Sequence, residues 1–318
     1  MALPISQLMA TTIKNYIPTL KSNLPMASSL LAKLKDRGNL KLDGGESVIV
    51  PLEYAFNGTT QAFDGADVLN VAENDIITAA EYQWKAYNTA ITIKDTDLAK
   101  NKGAKGIIKL LESKLKNGER SMFNKLSLDL FSDGTGASGK EMLGLKALIS
   151  TTPAVGTVAG IDASTNEFWR NIAVSGVAWG ASGAGRNQLE STQTEIKENG
   201  GKCDLIILGK TAYNALRREF AVNERYTNIG GTKPSFGIAE FNINGADVYF
   251  DPFCPADYAY LISTEFLQLY INSNMNFVAT PAQSPVDQAI KVSHIRVMLN
   301  LGVSNRSAHA VISGITAA

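Results

Sequence analysis

The run Gly134-Thr-Gly-Ala-Ser-Gly139-Lys140-Glu141 comes nearest to a catalytic element, because it satisfies both G-x-G-x-x-G and the opening of the phosphate loop G-x-x-x-x-G-K. Either motif needs a strand to deliver the loop and a following helix to aim its amides at a phosphate. Here the preceding residues have helical spacing, and Glu141 stands where a Ser or Thr hydroxyl would hold magnesium. The run therefore reads as a flexible turn. The two histidines, His294 and His309, lie apart in strand-like sequence and away from any cysteine cluster, which fits structural side chains. Cys203 and Cys254 lack the paired spacing of a zinc site and read as core thiols. Ser182 has Gly180 before it but Ala184 where a nucleophile elbow needs its last glycine. Asp64 and Asp67 sit in polar sequence where both ionise, so they form no acid-base pair. Trp84, Trp169 and Trp179 are separated without basic interleaving and read as core or interface. No catalytic, cofactor-binding or metal-binding residue is assigned, no cofactor is expected, and the sequence reads as a non-enzyme.

The elements that would position any site follow from composition and period. With 318 residues, 45% hydrophobic and 19% charged, the chain has the makeup of a folded protein and exceeds the size of a single core. No run approaches the ~18 apolar residues of a membrane span, and Met1 to Leu20 lacks the pattern of a secretory signal, so synthesis in the cytoplasm without membrane contact is expected. Formal net charge is zero, yet the signs are segregated. Met1 to Leu42 carries six bases against Asp36, a net +5. Asp43 to Glu81 has eight acids and no base, and Lys100 to Lys125 has eight bases against two acids.

Three of the ten prolines fall in the first forty residues, which read as an extended arm with a helical stretch near Met26 to Leu34. Its Leu24, Leu30, Leu31 and Leu34 need covering by the rest of the chain or by a neighbour. Val48, Val50, Leu52, Tyr54 and Phe56 alternate, as do Tyr82, Trp84 and Ala86 ahead of Ile91 and Ile93, predicting two strands around a long polar loop. A two-stranded ribbon is marginal alone, so it should lie on another molecule. Ile108, Leu111, Leu115, Met122, Leu126 and Leu130 predict a helix over 103–131, about 43 Å long, with Gly118 its weak point and lysines off the apolar stripe. After Asn166, helices at Gln188 to Glu198 and Thr211 to Ala221 alternate with strands at Cys203 to Leu208, Ala246 to Phe250 and Tyr258 to Ile262. Strand-rich sequence closes the chain at Glu265 to Ile271 and Ile290 to Ile312.

This order of elements resembles the major capsid proteins of tailed bacteriophages, which have the Hong Kong 97-like capsid fold. Local phrases are similar too: Leu130-Phe-Ser-Asp-Gly134, Gly144-Leu-Lys-Ala-Leu-Ile149, Gly160-Ile-Asp before Phe168-Trp-Arg-Asn171, and Asp251-Pro-Phe-Cys-Pro255. The resemblance implies an α+β fold with an N-terminal arm over 1–43, an E-loop β-hairpin over 44–93 and a peripheral domain over 94–165 that holds the spine helix. It also implies an inserted axial domain over 166–262 and peripheral return strands over 263–318. The implied role is a structural subunit that self-assembles into hexamers and pentamers of an icosahedral shell around phage double-stranded DNA. Such a subunit is assembled in the host cytoplasm and resides in the virion. Implied partners are copies of itself, scaffolding, portal and decoration proteins, and DNA held without sequence specificity. A bacterial nanocompartment shell of the encapsulin type is the alternative within the fold, and an unrelated α/β enzyme the alternative outside it. Some relatives cross-link through lysine and asparagine, but no Lys lies between Leu42 and Trp84, so that chemistry is not carried over.

In this fold the E-loop crosses a neighbour near its spine helix, which gives the charge blocks a use. Asp64, Asp67, Glu73 and Asp75 are then the acidic contact candidates, and Lys102, Lys105, Lys109, Lys116 and Arg120 their basic counterparts. Lys33, Lys35 and Arg37 on the arm are the DNA-facing candidates, although zero net charge argues against strong DNA binding by a free subunit.

Overall fold

The computed structural model describes residues 28–65, 67–100, 104–180, 183–223, 241–285 and 287–317. Helix α1 (Ser29–Asp36) and strand β1 (Leu40–Asp43) lead into a hairpin of β2 (Ser47–Glu53) and β3 (Ile77–Gln83). Strand β4 (Lys85–Lys94) and the long helix α2 (Ala104–Asp129) follow. The middle of the chain supplies β5 (Ile172–Ser175), α3 (Ala184–Glu198), β6 (Leu205–Leu208), α4 (Lys210–Asn223), β7 (Phe241–Ile243), β8 (Ala246–Phe250) and β9 (Tyr258–Ile262). The end supplies β10 (Leu267–Asn272), β11 (Val278–Ala279), β12 (Ile290–Val303) and β13 (Ala310–Ser313).

Two sheets organise these elements. In the first, β1 runs parallel to β10, β10 pairs with the C-terminal part of β12, and the remainder of β12 pairs with β4 and β11. The second has the order β7-β8-β6-β9-β13-β5. Leu205-Ile-Ile-Leu208 is buried on both faces, which is why a continuous apolar run rather than an alternating one marks this central strand. Leu205 and Ile207 join the large core shared with the first sheet, while Ile206 and Leu208 pack on the side that also holds Leu189 and Ile196 of α3 and Leu216 of α4.

The sequence reading places 263–318 wholly in the peripheral return, but the structure divides it. β13 lies in the second sheet, between β9 and β5. In its last part the chain thus crosses between sheets twice, at 263–266 and 304–309, and these crossings are tied by Ser304 N donating to Phe266 O at 2.9 Å. Pattern alone cannot separate two neighbouring apolar strands into different sheets.

Of the two ways of covering the arm leucines, the rest of the chain or a neighbour, the structure takes the first over the described part of the arm. Leu30, Leu31 and Leu34 are buried in the chain's own core and need no neighbour to cover them, while Leu42 stays exposed; Leu24 lies outside the described residues. The buried Asp251 carboxylate accepts from Ser28 Oγ and from Leu30 N, the latter at 3.2 Å, and so caps α1 from a position remote in sequence.

Helix α2 matches the predicted span to within two residues at its C-terminal end. Leu111, Leu115, Met122, Leu126 and Leu130 are buried as the spacing requires. Gly118 has a packing reason: a Cβ there would stand 3.1 Å from Thr89 Cγ2, so the absent side chain lets β4 come close. At the C-terminal end Tyr87 Oη donates to Asp129 Oδ2 at 2.7 Å, and Lys125 pairs with both Asp129 and Glu141.

Candidate assembly surface

Strands β2 and β3 form a hairpin with two unlike faces. Val48, Val50, Leu52, Ala80 and Tyr82 point into the core, and the Tyr82 hydroxyl donates to Val303 O at 2.7 Å, anchoring the hairpin to β12. Burial pushes the Tyr82 phenol above its ordinary pKa, so it remains a neutral donor. The opposite face carries Ile49 and Ile77, both exposed. The expected alternation stops at Glu53: Tyr54 turns to stack on Phe168 with ring centroids 5.1 Å apart, and Phe56 points into solvent.

Beyond the strands, Tyr54 N still donates to Ile76 O at 3.0 Å, and the described residues between them belong to no strand. In this loop Phe56, Phe63, Val68, Leu69 and Val71 are exposed, a concentration of large apolar side chains far above scattered surface residues. Asp64, Asp67, Glu73 and Asp75 are exposed among them. Asp67 Oδ2 accepts from Asp64 N at 2.9 Å and Asp67 N donates to Asp64 O at 2.8 Å, closing a turn that presents both carboxylates. Apolar side chains flanked by like charges suit a surface that is covered by an oppositely charged partner.

Helix α2 provides such charge. Lys116 and Arg120 are exposed one turn apart, with Glu112, Ser113 and Asn117 beside them in a shallow groove. Lys105 and Lys109 fall on the same helix, but their side chains lie outside the described residues, as does Lys102 entirely. Within one chain, no ion pair among the described residues joins the acidic loop to this helix. Two of the basic residues are engaged locally, Lys114 near Asp97 and Lys125 with Asp129 and Glu141.

The arm bases meet the chain itself. Lys33 lies over the Tyr249 ring at 4.3 Å from its centroid. Arg37 pairs with Asp204 and Asp247 and donates to Thr264 Oγ1 at 3.0 Å and Asp204 O at 3.1 Å. Lys33 and Arg37 are thus tied to residues in and beside the second sheet. These partners lie more than 160 residues away in sequence, where no local pattern reveals them. Lys35 is exposed.

A buried polar hub that the sequence reading misses fixes the 304–309 crossing to residues 148–171. Arg306, 1% exposed, donates to Leu148 O at 2.7 Å, Trp169 O at 2.8 Å and Asn171 Oδ1 at 3.1 Å. Asn171 in turn brackets Ser150 through both its amide atoms. The only sequence signal was an arginine between strong apolar strands. Glu219, also buried, accepts from the backbone of Gly180, Gly185 and Arg186 and fixes the start of α3, which begins four residues before the predicted Gln188.

The enzyme-like features fall away on geometry. The turn from Gly134 follows helix α2, not a strand, and Glu141 fills the space at Gly136, where a Cβ would overlap its carboxylate. A carboxylate thus sits where a phosphate cradle would have to be. His309 is wholly buried and takes a hydrogen bond from Ser263 N at 3.3 Å, and burial together with nearby Arg306 pulls its pKa down to about 3. Cys203 is buried, which pushes its thiol up to about 12, and Cys254 is raised likewise. Neither thiol is nucleophilic at neutral pH. Among the described residues no group of His, Cys, Asp and Glu is arranged to hold a metal ion.

No protein-family model matches this chain, and no curated protein matches it in sequence. Solved structures do match in fold. The capsid asymmetric unit of cyanophage A-1(L) is 15% identical with a TM-score of 0.66, over 87% of this chain and 90% of that one. The capsid of a native gene transfer agent particle is 12% identical with a TM-score of 0.61, over 90% of each chain. An encapsulin complex from Synechococcus elongatus is 13% identical with a TM-score of 0.53, over 87% of this chain and 85% of that one. The chain has the Hong Kong 97-like capsid fold.

Proposed function

We propose that this chain is the major shell subunit of a tailed bacteriophage, which self-associates into hexamers and pentamers and closes them around double-stranded DNA. The observation that carries the proposal is the cluster of exposed large apolar side chains in the 54–76 segment, where Phe56, Phe63, Val68, Leu69 and Val71 stand in water within sixteen residues of one another. A solitary protein gains nothing from keeping Phe56, Val68 and Val71 in water, whereas a second copy laid over them removes that cost. The fold agreement with phage and gene-transfer-agent capsids over about nine-tenths of the chain supports the same reading. Scaffolding, portal and decoration proteins are its further partners, the virion its location and the host cytoplasm its place of assembly.

Within this reading the acidic loop of one copy meets the basic face of α2 in the next. Asp64, Asp67, Glu73 and Asp75 oppose Lys116 and Arg120, together with Lys102, Lys105 and Lys109. Opposite charge selects the register, and apolar burial supplies most of the association energy. The Asp64→Lys, Asp67→Lys, Asp75→Lys variant should leave the subunit folded and abolish shells in electron micrographs. High salt should slow wild-type assembly, since these charges are exposed to screening. Shells of normal yield from the triple variant would reject the register role.

The encapsulin reading shares the fold at a lower TM-score. Cargo separates the two: particles from the native source should contain double-stranded DNA, and enzyme cargo in its place would overturn the phage assignment. Recombinant protein that stays monomeric at all concentrations in size-exclusion chromatography would overturn both.

A further inference from the structure

Four Asn-Gly pairs occur in the chain, at Asn57-Gly58, Asn117-Gly118, Asn199-Gly200 and Asn244-Gly245. Such pairs are chemically labile because glycine puts no side chain next to the backbone nitrogen that can attack the asparagine amide. Three of the four are held. Gly118 lies inside helix α2, Gly200 N donates to Lys197 O at 3.0 Å, and Gly245 N donates to Asn242 Oδ1 at 3.0 Å. At the fourth, Asn57 is exposed and, among the described residues, the Gly58 N–H has no acceptor.

The Asn57 amide is also activated. Three donors converge on its Oδ1: Thr59 N at 3.0 Å, Thr59 Oγ1 at 2.7 Å and Asn74 Nδ2 at 3.2 Å. Attack on Cγ places negative charge on that oxygen, so the donors stabilise the tetrahedral intermediate.

We propose that Asn57-Gly58 is a self-modifying site, where Asn57 converts to aspartate and isoaspartate with water as the sole co-reactant. The Gly58 nitrogen bonds to Asn57 Cγ and loses its proton, while the side-chain nitrogen leaves as ammonia. Water then adds to either carbonyl of the resulting succinimide and breaks one of its C–N bonds. No oxidation or reduction is involved. The product adds a carboxylate to a segment that already has eight acids and no base. On the shell reading given above, a neighbour covers the loop and halts the conversion, so unassembled subunits age and assembled ones do not.

Native subunit, incubated at neutral pH beside a urea-denatured sample, would be followed by peptide mass spectrometry at all four asparagines. Asn57 should convert about tenfold faster than the other three in the native protein, and the four rates should converge on denaturation. Thr59→Ala should slow the native reaction about threefold to tenfold, less than loss of a buried oxyanion donor in an enzyme because solvent screens the loop. A native Asn57 rate no greater than that of Asn199 or Asn244, or a Thr59→Ala rate equal to wild type, overturns the proposal. Conversion within purified shells at the free-subunit rate would instead count against coverage of the loop, leaving the chemistry standing.

Discussion

Replacing Phe56, Val68 and Val71 together by serine should separate assembly from folding. These side chains keep 101%, 94% and 89% of their accessible surface in the single chain, so truncating them removes no contact within the subunit. A copy that covers them gains about 2 kcal/mol from each, or about 6 kcal/mol per loop. That corresponds to about four orders of magnitude in the association constant of each contact, enough to abolish shells at micromolar protein. Urea unfolding followed by circular dichroism would measure the subunit, and sedimentation with electron microscopy the shells. The triple variant should unfold within about 1 kcal/mol of wild type and sediment only as small species. Val50→Ala, on the core face of the same hairpin, should do the reverse and cost the subunit about 2 kcal/mol. Shells from the triple variant at the wild-type critical concentration would refute the reasoning, because the exposed loop would then contribute nothing to association.

Arg306→Met should destabilise the subunit by about 3–5 kcal/mol in urea unfolding, since it leaves the Leu148 and Trp169 carbonyls buried without their donors; a loss below about 1 kcal/mol would remove Arg306 from its place at the crossings. His309 makes stability fall in acid. Its folded pKa near 3 lies below the ordinary 6.5, so below pH 6.5 the unfolded chain binds a proton that the native state refuses. The contribution is full above pH 6.5 and is lost progressively toward pH 3, the loss amounting to about 2 kcal/mol by pH 5. His309→Phe should flatten that slope in unfolding curves taken from pH 7.5 to pH 5, and an unchanged slope would assign the acid sensitivity elsewhere. Asp251→Ala should release α1, costing about 2–3 kcal/mol and raising hydrogen exchange at Leu30 to Leu34, because Ser28 and Leu30 lose a buried acceptor.

Elements with a strong period were legible in the sequence. The 3.6-residue spacing from Leu111 to Leu130 marks helix α2, and the alternation of Val48, Val50 and Leu52 marks β2, because burial of one face imposes its own repeat on the side chains. The segregation of charge between 43–81 and 100–125 is likewise a property of the chain itself, as is the failure of the Gly134 turn to follow a strand. Tertiary structure alone decided where α1 docks, that β13 joins the second sheet, and that Arg37 faces Asp204 and Asp247. It also decided that Arg306 stands buried among carbonyls rather than exposed. The physical reason is range. Periodicity reports whether a residue faces water or protein, but a buried charge is satisfied by partners brought together only when the sheets close, and those partners leave no trace in the residues beside it.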